Sequence, residues 1–344
     1  MTDAAVVGRL LGEYHERRVD PAAVTVLAGS EHQARVSYLV RMPDGARQIL
    51  RAFRADAPIS QCGVPVQPVA DWLLGRARTV QCLAAAGYRA PRPVRTRTGE
   101  LIGTEGAWLS WATTQVPGDP LEPSLTPVER LGAVLGWLHT VPAASGPDGD
   151  PGRAPCHPAL AASAALRRLG AVADRLPRAL RPMAQACRDS ILAVQAAATD
   201  VPETLVHGDA SARSAVQATG SDEVTLVGWE RGGRGLAVID LGHCLLECQA
   251  ARPAAAASPV EPEPVRIAAI ARGYASRRHL SGAERSLLPA ATMFTAAVAA
   301  AAHFEVALID GVGGPVMEQR LAALRTRIEA SGEVAALALR EFAR

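Results

Sequence analysis

The chain has 344 residues and a formal net charge of +2, enough for two sizeable lobes and too balanced to argue for nucleic acid or an anionic membrane as partner. All 36 basic residues are arginines, so no lysine is present for Schiff-base or phosphate-clamp chemistry, and arginine does not replace it automatically. Cys62, Cys82, Cys156, Cys187, Cys244 and Cys248 are scattered along the chain, which predicts reduced thiols in a cytoplasm rather than a disulfide framework.

The start, MTDAAVVGRLLGEY, is amphipathic and contains acids, without the basic end and apolar run of a signal peptide. Over 24–54 the runs VTVLAG, ARVSYLVRM and RQILRAFR are separated by Gly29-Ser30 and by the turn Pro43-Asp44-Gly45, which predicts a meander of antiparallel strands. Residues 69–86 place Leu73, Leu74, Ala77, Val80 and Leu83 at helical spacing, with Gly87 as a stop. A turn-rich edge, APRPVRTRTGEL, and a further strand, AWLSWATTQV, follow before Pro117-Gly118-Asp119-Pro120 breaks the chain.

From there the pattern turns helical. A helix is expected over 127–139, a loop over 141–158, two helical segments over about 160–197, and a strand–loop–strand over 205–229. Helices resume near Val238, are interrupted by a Pro/Ala-rich loop at 250–264, and run to the end. The most apolar stretch, 287–309, contains Pro289, His303 and Glu305 and reads as a buried Ala-rich helix rather than a membrane span.

The strongest local signal is LVHGDASARSAV at 205–216. An apolar strand running into His-Gly-Asp and out into another apolar strand holds the Asp209 carboxylate on a tight loop, suited to accepting a hydroxyl proton. Taken alone, three residues fit a strand-ending turn equally well.

Several segments share an order with known proteins: RQILRAFR, the stretch 82–101, TQVPGDPL, LGAVLGWLH, the HGD loop, GWERGGRGLAVIDLG and GYASRRHLSGAERSLLP. In this order the chain resembles the aminoglycoside phosphotransferase/choline-kinase-like family over about residues 20–310. The resemblance implies an α+β, bilobal, protein-kinase-like fold: an antiparallel N-lobe over 1–116 and a mainly helical C-lobe over 117–344 carrying the HGD loop.

It also assigns roles residue by residue. Phosphoryl transfer needs a base near the acceptor hydroxyl, Mg²⁺ on the phosphates and a cation to steady them. Asp209 matches the base. The metal-binding Asn of H-x-D-x-x-x-x-N falls on Ser214, a shorter and poorer ligand. The second metal ligand, an Asp, falls on Gly228, which supplies none. Arg51 takes the place of the phosphate-binding lysine, and Arg76 that of its acidic helix partner. In the covering loop, Gly29 and Ser30 stand with Glu31, which would face anionic phosphates. Gln115 and Val116 fall at the hinge. Two replacements for the missing carboxylate are open: Asp240 in AVIDLG, otherwise a structural helix-start residue, and Glu230, which shares a face with position 228 in an extended segment. Arg213, Arg231 and Arg234 form either a solvated face or a patch for an anion or an acidic peptide.

Other signals are weaker. His243, Cys244 and Cys248 invite a metal reading, but no second cluster completes a zinc spacing, so the cysteines read as small buried hydrophobes. His139 ends an apolar helix as a cap or core residue, and Trp108, Trp111, Trp137 and Trp229 read as packing. No GxSxG elbow surrounds Ser30, Ser211 or Ser214.

Two functions stay open at this level. One is a degenerate, pseudokinase-like subunit that binds a substrate, peptide or protein partner, in a bacterial natural-product or modified-peptide pathway. The other is an active ATP-dependent phosphotransferase on a small-molecule or peptide hydroxyl with a rearranged metal site; ATP and Mg²⁺ are expected only with it. The ligand count favours the first. Neither involves nucleic acid or membrane.

Overall fold

The structure, a computed structural model, describes residues 4–15, 20, 23–30, 35–56, 59–61, 64–66, 68–122, 124–143, 149–249, 260–311 and 314–344. Glu31, Cys62 and most of the expected 250–264 loop fall outside them. The chain divides into two units, one formed by residues 1–60, 65–117 and 144–152 and the other by 61–64, 118–143 and 153–344.

In the first unit, alternation of apolar and polar residues produces strands as the sequence predicts. Helix α1 (Ala4–Gly12) precedes β1 (Val24–Ser30), β2 (Arg35–Arg41) and β3 (Arg47–Arg54). The short strands β4 (Ile59–Gln61) and β5 (Val64–Val66) come next in the chain, and α2 (Val69–Ala85) follows. Then come β6 (Pro93–Val94), β7 (Gly103–Glu105) and β8 (Trp108–Thr114). The main sheet is antiparallel in the order β1-β2-β3-β8-β6, with β7 also on β8. One face of α1 (Val7, Leu10, Leu11) buries against Tyr38, Val40, Leu50, Ala52 and Ala112 of the sheet. Helix α2 buries Val69, Leu73, Ala77, Val80 and Leu83 at successive turns, and Trp72 sets its ring edge-on to Phe53 at 5.3 Å.

The second unit contains β9 (Asp119–Pro120), α3 (Leu125–Leu138), α4 (Pro158–Val172) and α5 (Arg181–Ala197). Four short strands follow: β10 (Glu203–Val206), β11 (Ala215–Gln217), β12 (Val224–Leu226) and β13 (Gly233–Leu236). The chain then runs through α6 (Ala237–Glu247), α7 (Pro264–Ala275), α8 (Gly282–Leu308) and α9 (Pro315–Phe342). Helices α3 and α7 cross at glycines: a Cβ on Gly132 would lie 2.2 Å from the Ile270 carbonyl oxygen, and one on Gly273 would lie 1.9 Å from that of Glu129. No side chain fits there, so the two backbones touch. Helix α8 is long and apolar enough to cross a membrane by length and composition, and 61 % of its most apolar stretch is buried. It packs against α4, α5, α6 and α9 as a core helix.

The strands around the HGD loop differ from the expected strand–loop–strand. Strand β10, which enters the loop, pairs with β13 beyond it, whereas β11 pairs with β12 and β9. The loop leaves through a single 3₁₀ turn at Ala212–Ser214, and that turn shifts the outgoing strand into a different sheet.

Candidate functional site

Strand β13 runs directly into α6 from the end that pairs with Glu203, the first residue of β10, and the first turn of α6 reaches back to the residues that follow β10. Asp240 sits in that first turn with its side chain 1 % exposed. Its carboxylate accepts the backbone N–H of His207 at 2.7 Å and of Gly208 at 2.9 Å, and faces His139 Nε2 at 3.2 Å. Burial alone would raise the Asp240 carboxyl, but the His139 hydrogen bond and the His207 N–H outweigh it and hold the group below the ordinary carboxylate range. Burial pushes the His139 imidazole down more than Asp240 lifts it, so the pair is a neutral donor on a carboxylate. The other ring nitrogen of His139 meets Tyr274 Oη at 2.9 Å, and Arg278 links that hydroxyl to Glu284. A polar chain thus ties the HGD backbone to α3, α7 and α8.

Three residues along α6, His243 points Nε2 at Asp209 Oδ1, 3.0 Å away, and fixes its other nitrogen on Thr295 Oγ1 of α8 at 3.0 Å. The Asp209 side chain stays 47 % exposed, and Arg231 Nη1 stands 3.6 Å from the same oxygen. For Asp209, burial pushes upward, while the His243 hydrogen bond, its charge and Arg231 pull the carboxyl well below the usual range. For His243, burial pushes down and Asp209 more than reverses it. The two shifts agree on an ion pair.

One turn further, Glu247 accepts a short hydrogen bond from Arg213 of the loop and a second from Arg327 of α9, at 2.6 Å. Asp240, His243 and Glu247 therefore form a single polar stripe on α6. Each rung holds a successive part of the HGD loop: the backbone at 207 and 208, the side chain of Asp209, and the side chain of Arg213.

Residues 23–280 match the family model described as APH, the phosphotransferase enzyme family. The chain belongs to this family. Among solved structures it resembles the amicoumacin kinase hAmiN, determined with AMP-PNP, Ca²⁺ and Ami: TM-score 0.68 and 15 % identity over 97 % of this chain and 94 % of that one. It also resembles a microcompartment-associated aminopropanol kinase, with a TM-score of 0.62 and 16 % identity over 98 % and 100 % of the two chains. An aminoglycoside phosphotransferase from Alicyclobacillus acidocaldarius gives a TM-score of 0.61 and 15 % identity over 97 % and 96 %. At such identities the likeness shows the fold, which is the kinase-like one. No curated protein sequence matches the chain.

Membership implies magnesium at the phosphates, and the residues at the matching positions do not fit a magnesium clamp. Ser214 is spent inside the loop: its hydroxyl donates to the Asp209 carbonyl at 2.6 Å and accepts the Ser211 N–H at 2.9 Å. Asp240 is turned onto the HGD backbone. Gly228 adopts a left-handed backbone, φ +78, and carries no side chain. Among the described residues, no group of three His, Cys, Asp or Glu side chains is placed to hold a metal ion. One carboxylate does approach: Glu230 Oε2 lies 3.6 Å from where a Cβ on residue 228 would stand.

The three arginines of the expected anion patch each face an acid, Arg213 on Glu247, Arg231 near Asp209, and Arg234 3.9 Å from Glu203. Cys244 and Cys248 are buried with their sulfurs 4.0 Å apart, as packing residues would be. His207 is fully buried; its Nε2 bonds the Val227 carbonyl at 2.9 Å, and its ring lies edge-on to Trp229 at 4.6 Å.

In the first unit, Arg51 of β3 is buried opposite Trp111 of β8, with its guanidinium 5.2 Å over that ring and a 3.3 Å hydrogen bond to Thr113. Arg76 of α2 is buried and donates to the Pro151 carbonyl. Gly29 and Ser30 end β1, and the Gln115 N–H bonds the Arg47 carbonyl while Val116 follows β8 half-buried. Sequence reasoning missed His243 as a neighbour of Asp209. The signal was present as the spacing Asp240, His243, Glu247 on one helical face.

Proposed function

We propose that this chain is a degenerate phosphotransferase, a kinase-like subunit that binds a hydroxyl-bearing small molecule or peptide and has lost metal-dependent phosphoryl transfer. The observation that carries the reading is the set of partners around Asp209. Fixed cations, His243 and Arg231, stand beside the carboxylate, while Ser214 and Asp240 are turned to holding the loop and position 228 is glycine. Phosphoryl transfer depends on a dication at the phosphates and on a carboxylate free to take a proton. A carboxylate held far below its usual range is a weak base. The same two cations make Asp209 a poor seat for a polycation such as an aminoglycoside. A protein that binds without transferring has its use beside an enzyme acting on the same molecule, which accords with a natural-product or modified-peptide setting.

A second reading rests on Glu230, whose carboxylate approaches the place of the missing ligand. In that case the protein is an active ATP-dependent phosphotransferase with Glu230 in the role of the absent aspartate. Isothermal calorimetry with Mg·ATP on the wild type and on Glu230→Gln separates the two. The proposal expects no magnesium-dependent affinity in the micromolar range. Micromolar binding that needs Mg²⁺ and disappears in Glu230→Gln overturns it in favour of the enzyme.

A further inference from the structure

We infer that His243 is the positioning residue of the Asp209 site: it fixes one carboxylate oxygen as half of an ion pair and leaves Oδ2 as the atom that accepts from a ligand hydroxyl. The inference rests on the reading of Asp209 as the carboxylate of the site and adds the residue that orients it.

Both cations at Asp209 address the same oxygen. His243 Nε2 reaches Oδ1 at 3.0 Å and Arg231 Nη1 at 3.6 Å, whereas no described residue bonds Oδ2. The Asp209 side chain is nearly half exposed, but the His243 side chain is only 11 % exposed, so the exposed carboxylate is oriented by a buried group. A positioning residue needs its own orientation fixed, and Thr295 supplies this from α8 at 3.0 Å. The threonine hydroxyl can donate to a neutral ring or accept from a charged one, so His243 keeps its place in either state. Asp240, on the same face of α6, pins the backbone just before Asp209 through the His207 and Gly208 N–H groups. Loop height is thus set by Asp240 and carboxylate direction by His243.

The titratable and charged groups around His243 are Asp209 and Arg231 from the loop and its continuation, with the His207 ring beside Asp209, Glu247 from α6 itself, and Arg213 and Arg327 through Glu247. Burial and Arg231 oppose the protonated ring, whereas Asp209, first by its hydrogen bond and then by its charge, and Glu247 favour it and prevail.

The test is a pH titration by nuclear magnetic resonance, reading the ring nitrogens of His243 and the Asp209 carboxyl carbon in specifically labelled protein. In the wild type His243 titrates above about 6.5, the ordinary histidine value, and Asp209 stays ionised down through about 3.9, the ordinary aspartate value. His243→Gln keeps a donor and removes the charge, and Asp209 then titrates at least about one pH unit higher. In this variant the His207 and Gly208 amide resonances hold their wild-type positions, which separates positioning from a structural role. Titration of wild-type His243 at or below about 6.5 overturns the inference, as does an Asp209 titration that His243→Gln leaves unmoved. The wild-type measurement needs no variant, so a His243→Gln protein that failed to fold would still leave the inference decidable. The outcome is independent of nucleotide binding: Mg·ATP affinity would sink the proposed function and leave this pair standing.

Discussion

Replacing Asp240 by alanine removes the acceptor that the HGD loop is built on. Three donors lose their partner at once: the His207 N–H, the Gly208 N–H and the His139 ring. All three lie around a carboxylate that is 1 % exposed, so water does not replace it without rearrangement. A buried donor left without an acceptor costs about 1–3 kcal/mol, and some relaxation is expected, so the loss is about 3–6 kcal/mol for the three together. Against the roughly 5–15 kcal/mol that holds an ordinary domain folded, that is a large fraction. Asp240→Asn keeps the volume and one acceptor oxygen and is expected to lose about half as much. Urea unfolding followed by circular dichroism measures both as a fall in midpoint at unchanged slope. A loss below about 1 kcal/mol for Asp240→Ala would refute the reasoning, because it would mean that the loop does not depend on this carboxylate.

Three further outcomes follow from the same structure. The stability difference between wild type and Asp240→Asn should be constant above about pH 4 and shrink below it. A carboxyl held below its ordinary range stabilises the fold above its unfolded pKa and loses that contribution as pH falls through the folded one, so a difference that grew on acidification would contradict the Asp240 environment. Gly273→Ala would place a Cβ 1.9 Å from the Glu129 carbonyl oxygen and should cost about 3 kcal/mol or more by forcing α7 away from α3; a midpoint within experimental error of wild type in urea would show that the helices part freely. Ser214→Ala removes the hydroxyl that bridges Asp209 and Ser211 and should cost about 1–2 kcal/mol, with faster amide exchange at Ser211 as the local readout.

The fold was legible because it rests on periodicity. Strands β1 to β3, helix α2 and the core helix α8 all follow from apolar spacing within one segment. The pairing of β10 with β13 was not, since it depends on the 3₁₀ turn at Ala212–Ser214 that redirects the chain, and three residues carry little local signal. Asp209 stood out through its motif, and Asp240 through its place at a helix start. His243 escaped notice because it was weighed with the cysteines beside it as a metal ligand. Its real partner lies on a loop that is distant in sequence, and nothing in either segment alone names the other. The helical spacing of Asp240, His243 and Glu247 was readable, but only the fold shows that a loop with three matching groups lies along it.

Glu247 is shared between Arg213 of the loop and Arg327 of α9. This makes the C-terminal helix a tenant of the same carboxylate that steadies the HGD loop. Trimming α9, or fusing a bulky tag that levers it away, would hand all of Glu247 to Arg213 and expose its other oxygen to water. Expression clones that end before residue 327 would then differ from the full chain near Asp209, although no residue of the loop had been altered.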